Sequence, residues 1–168
     1  MNNLKTIKMK RIKIFFLPLL AVMALTAVNA QEPTISSEEE AVVAIMKKYK
    51  EALQNKTTEG TFELFSADSK VFEQGGIEGT YANYIEHHLG PELSHFNRFE
   101  FSDYMIQVEV GLPYAFTTET YTYTIELQAE KGASPRIINR KGVATSILKK
   151  TDDQWKIIKT HSSSRNKK

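Results

Sequence analysis

Histidine and glutamate are the residue types in this chain best suited to proton transfer or metal binding, since no cysteine is present. His87, His88 and His95 fall in one stretch with Glu92, and His161 stands near the C-terminus ahead of three serines. On a continuous helix His88, Glu92 and His95 share a face, and imidazole with carboxylate suits zinc or copper. Adjacent helical residues point about 100° apart, so His87 and His88 do not serve as joint ligands, and Gly90-Pro91 interrupts the helix. The plainer reading is a single pocket histidine, His88, held by hydrogen bonds, with His87 and His95 in solvent.

A carboxylate in an apolar pocket is the second candidate. Glu73 follows Phe72 on a short strand ahead of Gly75-Gly76, and Glu119 shares a strand face with Tyr121, Tyr123 and Ile125. Burial would raise either carboxyl toward the range of a useful base, and a neighbouring tyrosine could donate to a developing oxyanion. In the alternative reading Glu73 braces the glycine-rich return. Nucleophilic catalysis by the serines beside His161 is discounted, because neighbours along a strand point to opposite faces and no nucleophile-elbow pattern is present. Arg136, Arg140 and Lys141 supply a basic set. One of these arginines could fork onto a ligand carboxylate, or the set simply charges a solvated strand face.

These residues need a scaffold, and the pattern runs from helices to strands. Ser37 with Glu40 reads as a capping box opening a helix through Asn55, with Val42, Ile45, Met46, Tyr49 and Leu53 at helical spacing. A short helix after Thr58 is expected to turn Phe62 and Phe65 inward. Residues 70–74 read as a strand, and Gly75, Gly76 and Gly79 as a tight return. Thr80 caps a third helix carrying Tyr81, Tyr84, Ile85, His88 and Leu89, with Pro91 in the first turn of a continuation through Phe96. Four strands follow at 99–110, 114–128, 136–149 and 154–162, an antiparallel meander. An α+β domain results, its curved sheet wrapped around the three helices.

Residues 1–30 read as a cleaved export signal. Five basic residues precede the apolar run 14–28, which is shorter than the roughly 20 residues that span a bilayer, and Val28-Asn29-Ala30 supplies a cleavage pattern. The expected product is periplasmic or secreted, with a short arm at 31–36, a domain at 37–163, a frayed basic tail at 164–168 and no stable membrane anchor. Five of the 22 basic residues and none of the 20 acidic ones lie in the signal, so the remainder carries a net charge of −3. Its scattered lysines and arginines exclude a nucleic-acid face.

The closing segment GVATSILKKTDDQWKIIKTHSSS, residues 142–164, alternates on either side of the turn Thr151-Asp152-Asp153. Together with the element order it resembles the SnoaL-like branch of the nuclear transport factor 2-like superfamily, and it is similar to the association domain of calcium/calmodulin-dependent kinase. Trp155, His161 and Ser163 match the Trp and terminal His-x-Ser of that pattern. The resemblance implies a cone-shaped fold with a pocket between the long helix and the concave sheet, often in a homodimer. It covers isomerases, dehydratases, cyclases and non-catalytic binding modules, so it assigns no chemistry by itself. The expectation for this chain is a small ligand held by Glu73, Tyr84, His88, Glu119, Tyr121, Tyr123 and His161. Its enzymatic alternative is a lyase or isomerase with Glu73 or His88 as base; no cofactor is expected beyond a candidate zinc or copper ion.

Overall fold

A computed structural model describes residues 36–129 and 131–167. The expected export signal and all of the arm but Ser36 lie outside the described residues. Helix α1 (Ser37–Gln54) starts one residue earlier than its sequence suggests. The Ser36 side chain accepts from the Glu39 amide while the Glu39 carboxylate accepts from the Ser36 amide, a reciprocal cap that satisfies two otherwise orphaned donors. Among the described residues no helix is long and apolar enough to cross a membrane.

The expected short helix is a single 3-10 turn, Phe62–Leu64, in which Phe62 stays half exposed while Phe65 is buried at the head of β1 (Phe65–Glu73). The glycine-rich return is itself a strand, β2 (Gly76–Gly79). Thr80 caps the next helical run as expected, its hydroxyl accepting from the Asn83 amide. That run passes from α2 (Tyr81–Tyr84) through a π-helical turn (Ile85–Leu89) into α3 (Gly90–Ser94) without breaking. The Gly90 amide bonds Ile85 O, and a Cβ on Gly90 would lie 2.5 Å from that oxygen. The wider π turn thus accommodates Gly90-Pro91, and Pro91 falls in the first turn of α3. Phe96 opens β3 and does not belong to the helix.

The four expected strands are β3 (Phe96–Gly111), β4 (Tyr114–Leu127), β5 (Ile137–Thr151) and β6 (Gln154–Asn166). Strand β6 stays paired to Asn166, opposite Arg140, so residues 164–166 are sheet and not a frayed end. The meander grows to six strands in the order β2-β1-β6-β5-β4-β3, because β1 lies parallel to the free edge of β6 and β2 folds back on β1. Pairing satisfies an edge that would otherwise expose its amides and carbonyls. The fold is α+β, a curved, unclosed sheet with helices on its concave side.

Val42 and Met46 of α1 pack with Leu64, Phe65, Val71, Leu148 and Ile157 in the main apolar cluster. A second tie holds α1 to the β5–β6 hairpin: Trp155 Nε1 and Lys150 Nζ donate to the Glu38 carboxylate at 2.7 and 2.6 Å. Among the sheet's several register irregularities, two single extra residues matter most for which side chains line the hollow. In β3, Ser102 pairs with Thr122 but Met105 with Thr120, so one extra residue is accommodated and the inward set changes from Phe99 and Phe101 to Tyr104, Ile106, Val108 and Val110. In β6, Ile157 pairs with Leu148 but Lys159 with Ile147, leaving Ile158 as the extra residue. A strand's side chains alternate with period two, so each bulge inverts the face of everything beyond it.

Asp103, inside the first bulge, has φ of 52°, a left-handed conformation that asparagine, aspartate and glycine tolerate and β-branched residues resist. Asp103→Val is therefore expected to lower stability by about 1–2 kcal/mol, whereas Asp103→Gly leaves it close to wild type. Denaturant unfolding of the two variants measures the difference.

Candidate functional site

The concave side of the sheet is not filled by α1. Met46, Tyr49, Lys50 and Leu53 lie on one helical face and roof a cavity of about 150 Å³ whose floor is the sheet. Phe99, Phe101, Tyr121 and Tyr123 tile that floor, with successive ring centroids 4.8, 5.1 and 6.2 Å apart. Tyr121 can lie there because its partner on β5 is Gly142, where a Cβ would come within 2.1 Å of the Tyr121 ring.

Polar groups gather at two stations. At the first, Glu119 is only 6 % exposed and accepts a 2.6 Å hydrogen bond from the Tyr104 hydroxyl. The Lys50 ammonium sits 4.0 Å from the centre of the Tyr104 ring. Burial pushes the Glu119 carboxyl above its ordinary range, while the Tyr104 bond and the Lys50 charge pull the other way. Burial, reinforced by the Glu119 charge, likewise keeps Tyr104 protonated well past its usual range. The pair is thus a buried carboxyl facing a tyrosine that remains a donor.

The second station lies where β1 ends. Tyr84 donates to Glu73 Oε2 at 2.5 Å, and the same oxygen is 4.0 Å from His88 Nε2. Tyr84 is also held protonated by burial and by neighbouring Tyr49 and Glu73. His88 meets Glu78 at 3.0 Å through Nδ1 and Glu92 at 3.4 Å through Nε2. The Glu78 hydrogen bond raises the imidazole above its ordinary value, with partial desolvation opposing and the Glu92 and Glu73 charges assisting. Parallel pairing also sets Glu73 beside Ser162, and Gln74 Nε2 donates to Ser164 Oγ, which bonds the Tyr123 hydroxyl.

Of the residues expected at the site, Glu73, Tyr84, Glu92, Glu119, Tyr121 and Tyr123 line the cavity. His88 stands at its edge, bonded to the Glu side chains rather than lining it. His161 is exposed on the opposite face, opposite Thr145, because the bulge at Ile158 turns Thr160, Ser162 and Ser164 inward and His161 outward. Had the parity of Trp155 and Ile157 continued, His161 would face in. His95 is exposed, and among the described residues no group of three His, Cys, Asp or Glu side chains is arranged to hold a metal ion, so His88, Glu92 and His95 do not form the expected ligand set. Arg136, Arg140 and Lys141 do not line the cavity. Sequence reasoning missed Lys50, Glu78 and Tyr104. Tyr104 was detectable, since the apolar alternation changes phase between Phe101 and Ile106; Lys50 and Glu78 carry no comparable local signal.

A family model described as a SnoaL-like domain matches residues 42–166. The chain belongs to the SnoaL-like domain family. No curated protein matches it. Solved structures of similar fold include a candidate dehydratase of the NTF2-like family from Streptomyces avermitilis, 17 % identical, with a TM-score of 0.66 over 79 % of this chain and 99 % of that one. A ketosteroid isomerase-like protein from Erwinia carotovora atroseptica is 14 % identical, with a TM-score of 0.66 over 79 % and 99 % of the two chains. A candidate calcium/calmodulin dependent protein kinase II association domain from Xanthomonas campestris is 20 % identical, with a TM-score of 0.56 over 81 % and 93 %. At these identities the likeness is one of fold, and this SnoaL-like domain shares the NTF2-like architecture.

The raised His88 value has a checkable sign. With the folded value above 6.5, the contribution of its carboxylate contacts to stability is fully present below pH 6.5 and disappears as pH rises through the folded value. An NMR titration of the His88 ring is expected to show a midpoint above 6.5 that moves back toward 6.5 in Glu78→Gln.

Proposed function

We propose that this SnoaL-like domain binds a small organic molecule in the cavity beneath α1. The observation that carries the reading is the combination of an apolar, aromatic-tiled floor with polar groups gathered at two points, the pattern of sites that orient a ligand by a few contacts. A cavity of about 150 Å³ suits one ring-sized molecule, the volume in which an apolar protein cavity holds benzene. Export is part of the proposal, supported by the composition of residues 1–30. So is pairing of two copies through the outer face of the sheet, where Met105, Phe116 and Val143 are exposed.

A second reading is acid–base catalysis of the lyase or isomerase kind. Glu119 favours it over Glu73 or His88 as the base, because its carboxyl is the more deeply buried and its ordinary range is shifted upward. In this reading the carboxylate form takes a proton from carbon beside a carbonyl, and a protonated tyrosine donates to the oxygen on which charge develops.

One NMR experiment in D2O tests both, with cyclohexanone as a ring-sized ketone. Binding is expected to perturb signals of Tyr49, Phe101 and Tyr121, and Ala144→Leu, which adds bulk to the cavity wall, is expected to abolish the effect; perturbations that persist unchanged in that variant would remove the binding reading. The wild-type protein is expected to accelerate exchange of the ketone's α-protons, and Glu119→Gln to keep binding while losing the acceleration. Absence of any acceleration by the wild type would remove the catalytic reading alone.

A further inference from the structure

The charges around the cavity are unevenly distributed. At the inner station Glu119 is balanced by Lys50, whose ammonium rests over the Tyr104 ring at 4.0 Å. At the other station Glu73 and Glu92 line the cavity and Glu78 lies just behind, with only His88 among them to offset three carboxylates. Among the described residues no arginine lines the cavity, and Lys50 is the one lysine that does. A carboxylate or phosphate ligand would enter a site with surplus negative charge and no fork to receive it. An ammonium would meet the opposite conditions. Tyr84 and His88 both approach Glu73 through Oε2, which leaves the other oxygen for a ligand, and aromatic faces attract cations through their quadrupoles. The wall already holds one ammonium by this chemistry, that of Lys50 over Tyr104.

We propose that the cavity takes an organic ammonium, with an apolar ring against Phe101 and Tyr121 and the charged nitrogen beside Glu73. The inference rests on the binding reading above and specifies the ligand class. It adds a selectivity that an aromatic-lined hollow alone does not require, namely preference for a cation over a neutral or anionic molecule of the same shape.

The test uses three probes of nearly one size, benzylammonium, benzyl alcohol and benzoate, each titrated at pH 7 into the purified protein and followed by NMR. Benzylammonium is expected to bind about tenfold more tightly than benzyl alcohol, the scale of one charge-assisted hydrogen bond, and benzoate the most weakly. Glu73→Gln is expected to remove most of the preference for benzylammonium over benzyl alcohol, and Glu92→Gln to reduce it by a smaller factor. Added salt should weaken benzylammonium binding and not that of benzyl alcohol. If benzyl alcohol or benzoate binds as tightly as benzylammonium to the wild type, the ammonium inference is overturned while the binding reading stands. Should none of the three bind, both fall. The wild-type comparison decides the matter even if Glu73→Gln does not fold.

Discussion

Each strand of this sheet can present only alternate residues to the helices, and that two-residue period is the constraint from which the site follows. Left unbroken, it would place Asp103, not Tyr104, toward the hollow and would carry His161 inward behind Trp155 and Ile157. Two of the sheet's irregularities decide the outcome at the hollow, an extra residue within Ser102–Met105 of β3 and another at Ile158 of β6. The first brings the Tyr104 hydroxyl to Glu119, a buried carboxyl that accepts its side-chain hydrogen bond there. The second turns three hydroxyl-bearing residues toward the cavity and sends an imidazole to the outer surface.

Coverage of the concave face by α1 does the rest. Its stripe of Val42, Met46 and Tyr49 closes over the sheet, and the floor beneath is built from long aromatic side chains that meet one another, Phe99 with Tyr123 and Phe101 with Tyr121 edge to face. Such rings bury large apolar areas while leaving space between layers that they cannot bend to fill. Gly142 is required for this arrangement, since any side chain there would displace the Tyr121 ring. The hollow is therefore a consequence of the residues chosen to floor it, and at each polar station a tyrosine, Tyr104 or Tyr84, donates to the carboxylate.

Much of this architecture was legible in the residues. Helical spacing marked α1, the Thr151-Asp152-Asp153 turn marked the closing hairpin, and the split of β4 into a tyrosine face and a threonine face correctly assigned Glu119, Tyr121 and Tyr123 to the inside. The parallel pairing of β1 with β6 was not legible, because it joins segments some ninety residues apart and no local pattern encodes it. Through that pairing Glu73 reaches the cavity wall beside Ser162. His161 was misassigned because an extra residue at Ile158 reverses the strand parity after Ile157, and Ile158, an ordinary strand residue, does not advertise it. The His88 cluster was half visible: the i, i+4 partner Glu92 follows from helical geometry, whereas Glu78 arrives from a neighbouring strand.

Isotope-filtered NOE spectroscopy of the protein with bound benzyl alcohol tests the central claim most directly, that the bulges decide which residues face the ligand. Contacts from the probe's ring protons to Tyr104 and Tyr121, with none to His161, are the predicted result. Contacts to His161 in place of Tyr104 would contradict the account.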